Sequence, residues 1–181
     1  MGLDIIYYRN LKRACNGECG LDTDKFWCMN DDHVQFFLNA PWKGTLRTSP
    51  IELVHKRNDG LSRSVCYTNL PYDRVSVRVG GYGFYNAWRE TLSYMVLGVS
   101  PKTVWENEDD FIGKPFFELV DFSDCEGAFG STVCEKLYGD FLEHKSRWFD
   151  AHPSISDYGE IYEQFMKAFK YASDNGAVKF C

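Results

Sequence analysis

No stretch of this chain is apolar for long enough to cross a membrane as a helix. The opening Met1-Gly2-Leu3-Asp4-Ile5-Ile6 has no basic leader, and its apolar run breaks at once, so no secretory signal is expected. Gly2 stands where a myristoylation signal would begin, but position 6 is Ile rather than Ser or Thr. There is no Asn-x-Ser/Thr sequon. These absences argue against an anchored or exported protein and set the expected location as the cytoplasm. Seven cysteines (15, 19, 28, 66, 125, 134 and 181) are an odd number without framework spacing, which suits free thiols in a reducing compartment.

Positive charge is also in short supply. The formal net charge is -6 and the pI about 5.2, a balance that argues against direct binding of nucleic acid. Acid gathers in one region, where Glu106, Glu108, Asp109, Asp110, Glu118, Asp121, Asp124 and Glu126 face Lys114 alone. A solvated acidic face is the plain reading, and a DNA-mimicking or partner-binding surface is the sharper one. Signatures of reaction are missing as well. The chain has no Gly-Lys-Ser/Thr of a Walker loop, no full dinucleotide fingerprint, no His-Glu-x-x-His, no Ser–His–Asp arrangement and no deaminase signature.

What the chain has in excess is aromatic side chains, 17% of all residues, with 14 Phe, 11 Tyr and 5 Trp. A small core does not need so many, so some are expected at the surface or around a ligand. With 181 residues, 44% hydrophobic and 25% charged, the chain suits one folded domain. No internal repeat or low-complexity segment interrupts it.

Strand patterns come first: Leu3 to Tyr8, His33 to Leu38, short pieces between Thr45 and Arg57, Arg63 to Thr68, and Arg74 to Val79, which alternates with period two. Ala14 to Asp32 is polar, with Gly and Cys, and reads as a loop-rich insertion. Three helices follow, over about 84–97, 132–149 and 155–173. Thr132-x-x-Glu135 looks like a capping box, and Asn175-Gly176 like a left-handed cap. Ala177 to Cys181 closes as a short strand. Strands mainly first and helices mainly last favour α+β: a mostly antiparallel sheet with about three helices on one face.

Two polar knots carry the candidate chemistry. In the first, a strand ends at Gly80-Gly81, and a helix begins at Tyr82-Gly83-Phe84-Tyr85-Asn86-Ala87-Trp88-Arg89. Glycines let backbone N–H groups approach a ligand, and a helix start favours an anion. Arg78 and Arg89 would take charge, Gly81 would offer backbone, and Tyr82, Tyr85 and Trp88 would stack on a flat ring. The plain alternative is a glycine turn with Trp88 in the core. In the second knot the apolar run from Phe116, read as a buried strand, ends in Asp121-Phe122-Ser123-Asp124-Cys125-Glu126-Gly127. The register fails for a calcium loop. Ser123 and Asp124 either tie the loop to itself or complete a ligand set.

Two weaker constellations remain. Cys15, Cys19, Cys28 and His33 supply four soft ligands but no C-x2-C knuckle. Cys125 with His144 would make a nucleophile and base only if the fold brought them together. No cofactor is called for, no metal site is assigned, and no catalytic residue can be named.

Several segments together resemble a known group: Met1-Gly2-Leu3-Asp4-Ile5, Tyr85-Asn86-Ala87-Trp88-Arg89-Glu90-Thr91-Leu92, Gly113-Lys114-Pro115-Phe116-Phe117-Glu118-Leu119, Phe122-Ser123-Asp124-Cys125-Glu126-Gly127, and the tail from Lys167-Ala168-Phe169 to Gly176-Ala177-Val178. In these the chain is similar to a family of phage- and prophage-associated proteins that brings no established activity with it. The region from Ala14 to Asp73 departs from that pattern. The resemblance implies a phage accessory protein in the bacterial host cytoplasm, and such proteins often act against host defences. The expectation is a binder that sequesters a nucleotide-like small molecule or blocks a host protein. The alternative is a metal-dependent hydrolase or transferase on a nucleotide or phosphorylated substrate, with Asp121, Asp124 and Glu126 near the metal and Arg89 on the anion.

Overall fold

The computed structural model describes residues 2–13, 19–22, 25–30, 33–37, 46–47, 61, 66–68, 73–122, 127–151 and 156–181. Its centre is a four-stranded antiparallel sheet built from β1 (Gly2–Tyr8), β8 (Arg74–Gly81), β9 (Gly127–Gly130) and β10 (Ala177–Phe180), in the order β8-β1-β10-β9. β1 holds β8 on one side, with Ile5 facing Val77, and β10 on the other, with Ile5 facing Phe180. Alternation decides the faces. Leu3, Ile5, Tyr7, Val178 and Phe180 enter the main core, whereas Asp4, Arg74, Ser76 and Arg78 occupy the opposite face.

Helices α1 (Tyr82–Leu97), α4 (Ser131–Ala151) and α5 (Ser156–Ala172) close over the apolar face. Their stripes follow the predicted period: Trp88 and Leu92 on α1; Val133, Leu137, Phe141 and Trp148 on α4; Ile161, Phe165, Phe169 and Ala172 on α5. Lys145, which interrupts the α4 stripe, reaches Glu163 of α5 at 2.7 Å. Much of the aromatic excess is spent in this core. Trp88 stacks on Phe165 at 5.2 Å, and Trp148 on Tyr162 at 5.1 Å. The Tyr162 hydroxyl donates to the Phe141 carbonyl at 2.7 Å, and burial raises its pKa.

The α+β class therefore stands, and four local readings are corrected. Phe116 to Asp121 is not a strand. Phe116 adopts φ 57, and Phe117–Asp121 form a short helix, α3. A short apolar run buried on all sides reads alike as strand or helix, and only neighbours decide. A second short helix, α2 (Pro101–Glu106), was not foreseen; Pro101 at its first position and Ser100 Oγ, accepting from Thr103 N–H at 3.2 Å, start it.

Within the stretch read as a loop-rich insertion, β3 (Cys19–Asp22) and β4 (Lys25–Asn30) pair as a hairpin, and the strand expected just beyond it, β5 (His33–Phe37), joins them antiparallel. Gly, Asp and Cys mask the strand propensity there. Finally, α4 begins at Ser131, so Thr132 lies inside the helix rather than capping it.

A third ribbon pairs β2 (Lys12–Arg13), β7 (Cys66–Thr68) and β6 (Leu46–Arg47). Tyr67 and the half-buried Leu61 pack with Tyr8, Leu11, Ala128 and Ala177 on the second face of the main sheet. At the end of α5 the left-handed residue is Asn175, with φ 47, and its side chain donates to the Leu11 carbonyl at 3.0 Å. Gly176 is required for space rather than conformation, because a Cβ there would overlap the Tyr8 carbonyl.

Candidate functional site

The turn between β8 and α1 forms as its glycines require. Gly80 has φ 141, open to glycine alone, and Gly81 precedes the helix in extended conformation with no side-chain cap. The residues expected to converge there do not. Tyr85 and Trp88 are buried in the core, where Tyr85 packs against Phe165 and Phe180. Arg78 lies on the other face of the sheet, paired with Asp4 at 3.0 Å, and its guanidinium occupies the space that a side chain on Gly2 would need. Tyr82 is half-buried and packs against the core, while Gly81 and Gly83 are exposed. Ser123 and Asp124, like Cys125 and Glu126, lie outside the described residues.

Arg89 is where chemistry does gather. It leaves the buried side of α1 only 5% exposed. Nη1 donates to the Phe122 carbonyl at 2.5 Å, and Nη2 donates to Asn86 Oδ1 at 2.8 Å. Phe122 ends α3, so the cation meets a helix C-terminus, the end that attracts positive charge. The guanidinium carbon lies 5.4 Å from the ring centres of both Tyr85 and Trp105. Among the described residues its Nε finds no hydrogen-bond partner and no carboxylate lies within ion-pair reach. Two neutral groups and two ring faces thus share a buried charge.

Trp105, on the far side of that cation, is 49% exposed. It is not loose: its Nε1–H donates to the Val120 carbonyl at 3.2 Å, and its ring lies over Arg89. The surface beside it is acidic. Glu106, Glu108, Asp109 and Asp110 are exposed, and Ile112 is a second exposed apolar residue just beyond them. Lys102 reaches Glu106 at 3.7 Å, and Lys114 lies over the Phe111 ring at 4.5 Å. This face couples a rigidly held aromatic ring to a run of carboxylates.

A polar cluster that the sequence reading missed holds the start of α3. Asp140 of α4 accepts the buried Phe116 N–H at 2.8 Å, which fixes the left-handed residue. Lys136, one helical turn away, reaches Asp140 at 2.9 Å, Glu118 at 2.5 Å and the Lys114 carbonyl at 2.7 Å. The one sequence signal was Lys136 and Asp140 at i,i+4 on a helix, a spacing too common to single out. His144 packs its ring on Phe116 at 5.6 Å, with Nδ1 3.1 Å from the Asp140 carbonyl. Cys134 is sealed in the core, and burial raises its thiol pKa, so it is no nucleophile. Among the described residues no group of three His, Cys, Asp or Glu is placed to hold a metal ion. Of the soft ligands at the N-terminal end, Cys19 faces Cys28 across the β3–β4 ladder, His33 faces Asn30, and Cys15 lies outside the described residues.

No protein-family model, curated protein or solved structure matches this chain.

Proposed function

We propose that this chain is a phage accessory protein that acts by binding, in the host cytoplasm, and that it blocks a host protein through the α2–α3 face around Trp105. The single observation behind this reading is Trp105 itself. A half-exposed indole held at two points costs little entropy to bury, which is the usual make-up of a binding hot spot. The neighbouring Glu106, Glu108, Asp109 and Asp110 suit a partner with a basic surface.

Chemical crosslinking in phage-infected cells, followed by identification of the bound host protein, tests the reading. Trp105→Ala is expected to cost the complex about 2 kcal/mol or more, roughly a thirtyfold loss of affinity. A host protein bound equally well by Trp105→Ala would remove this face from consideration.

A second reading, sequestration of a nucleotide-like signal, draws on the buried Arg89, whose charge has no carboxylate within reach among the described residues. Mass spectrometry of small molecules released by heat from protein purified out of infected cells decides between the two. A stoichiometric nucleotide that Arg89→Lys fails to retain favours the small molecule, and an empty protein favours the host partner.

A further inference from the structure

We propose that Cys19 and Cys28 are a redox pair, closing to a cross-strand disulfide that staples the β3–β4 hairpin. The observation is the register. The hairpin pairs Cys19 with Cys28, Gly20 with Trp27, Leu21 with Phe26 and Asp22 with Lys25. Residues directly opposed on neighbouring antiparallel strands lie on the same face of the sheet. Their Cα atoms stand about 4.5 or 5.5 Å apart, depending on the kind of pair. Both spacings fall within the range of about 4.4–6.8 Å that a disulfide spans. Two of the seven cysteines thus meet the backbone condition for a bond without any change of fold. A zinc site needs about four donors, and the ladder brings only these two thiols into one facing pair.

The other described cysteines are placed differently. Cys134 is buried with its thiol pKa raised, Cys66 faces Arg47 across a strand pair, and Cys181 is exposed beyond β10. The oxidant is a small-molecule disulfide such as oxidised glutathione. The thiolate of one cysteine attacks a glutathione sulfur and releases one glutathione as thiolate. The second cysteine then attacks the mixed disulfide and releases the other. Two cysteine thiols lose two protons and two electrons, and one glutathione disulfide becomes two glutathione thiols. The closed loop ties β3 to β4 in a segment where the sheet has only three strands.

The test uses the full chain, reduced and then equilibrated in glutathione buffers of rising oxidised fraction. Remaining thiols are alkylated, and trypsin is applied without reduction. Cleavage after Arg13, Lys25 and Lys43 separates the two cysteines into peptides 14–25 and 26–43. The expected result is that these peptides emerge joined, lighter by two hydrogens than their sum, in a fraction that rises with oxidation. The link persists in Cys15→Ser and Cys181→Ser and is lost in Cys19→Ser. Two results overturn the proposal: both cysteines alkylated at the most oxidising ratio, or a link that survives Cys19→Ser because Cys15 supplies it.

Discussion

Asp73 sits at 1% exposure where β8 begins, and its carboxylate accepts from Arg9 Nε at 2.6 Å and Asn10 Nδ2 at 3.2 Å. The Arg9 hydrogen bond, helped by Asn10, holds its pKa below the usual carboxylate value against the opposing effect of burial. A carboxylate with a lowered folded pKa adds stability that is present above its unfolded value, about 3.9, and is lost as pH falls through the folded value. Urea denaturation of the wild type across acidic pH is expected to show that loss. Asp73→Asn is expected to be less stable at neutral pH and to show a flatter acid limb. Parallel limbs for the two proteins would mean that Asp73 is not the group responsible. Arg9 also lies over the Tyr171 ring at 4.8 Å, so one surface arginine joins β1, β8 and α5.

Among the elements, α3 depends most on its neighbours. It is five residues long, opens on a left-handed Phe116, and has no cap of its own. Asp140 supplies the missing acceptor from α4. Asp140→Ala strands a buried N–H and is expected to cost about 1–3 kcal/mol in denaturant unfolding. Asp140→Asn, which keeps an acceptor, is expected to cost less. A fully stable Asp140→Ala protein would show that α3 is held by its apolar side chains alone.

This dependence explains what could be read from the sequence. β1, β8, α1, α4, α5 and β10 announce themselves because period and terminators lie within each element. α3 does not, because the residue that fixes Phe116 is on another helix. The candidate site divides in the same way. Arg89 was legible as important from its position after a glycine turn, yet its true setting, under Trp105 and against the end of α3, required the tertiary fold. Trp88 lies in the core, as the plain reading of the glycine turn had it, whereas Tyr85 was legible as aromatic but not as core, since a ring on a helix face looks the same from the sequence in either role.

For the molecule as a whole, the main sheet places β1 and β10 side by side at its centre. Cys181 N–H donates to the Asp4 carbonyl at 2.9 Å, and Asp4 N–H donates to the Cys181 carbonyl at 3.1 Å, extending that pairing past β10. A chain cut after Gly176 loses Val178 and Phe180 from the core, each worth about 1.5–3 kcal/mol. It also leaves β1 and β9 without the strand between them. Such a chain is expected to show no cooperative thermal transition by circular dichroism. A sharp melt would mean that the helices and β8 sustain the core unaided.

The same adjacency sets the order of events at the ribosome. β1 is made before its partner β10, and residues 9–176 are synthesised between them. Until β10 emerges, β1 can pair only with β8, and its other edge stays open to any stray strand. The sheet therefore closes only once β10 is available, and refolding is expected to be slow for a domain of this size, in the range of about milliseconds to seconds seen where distant strands must meet.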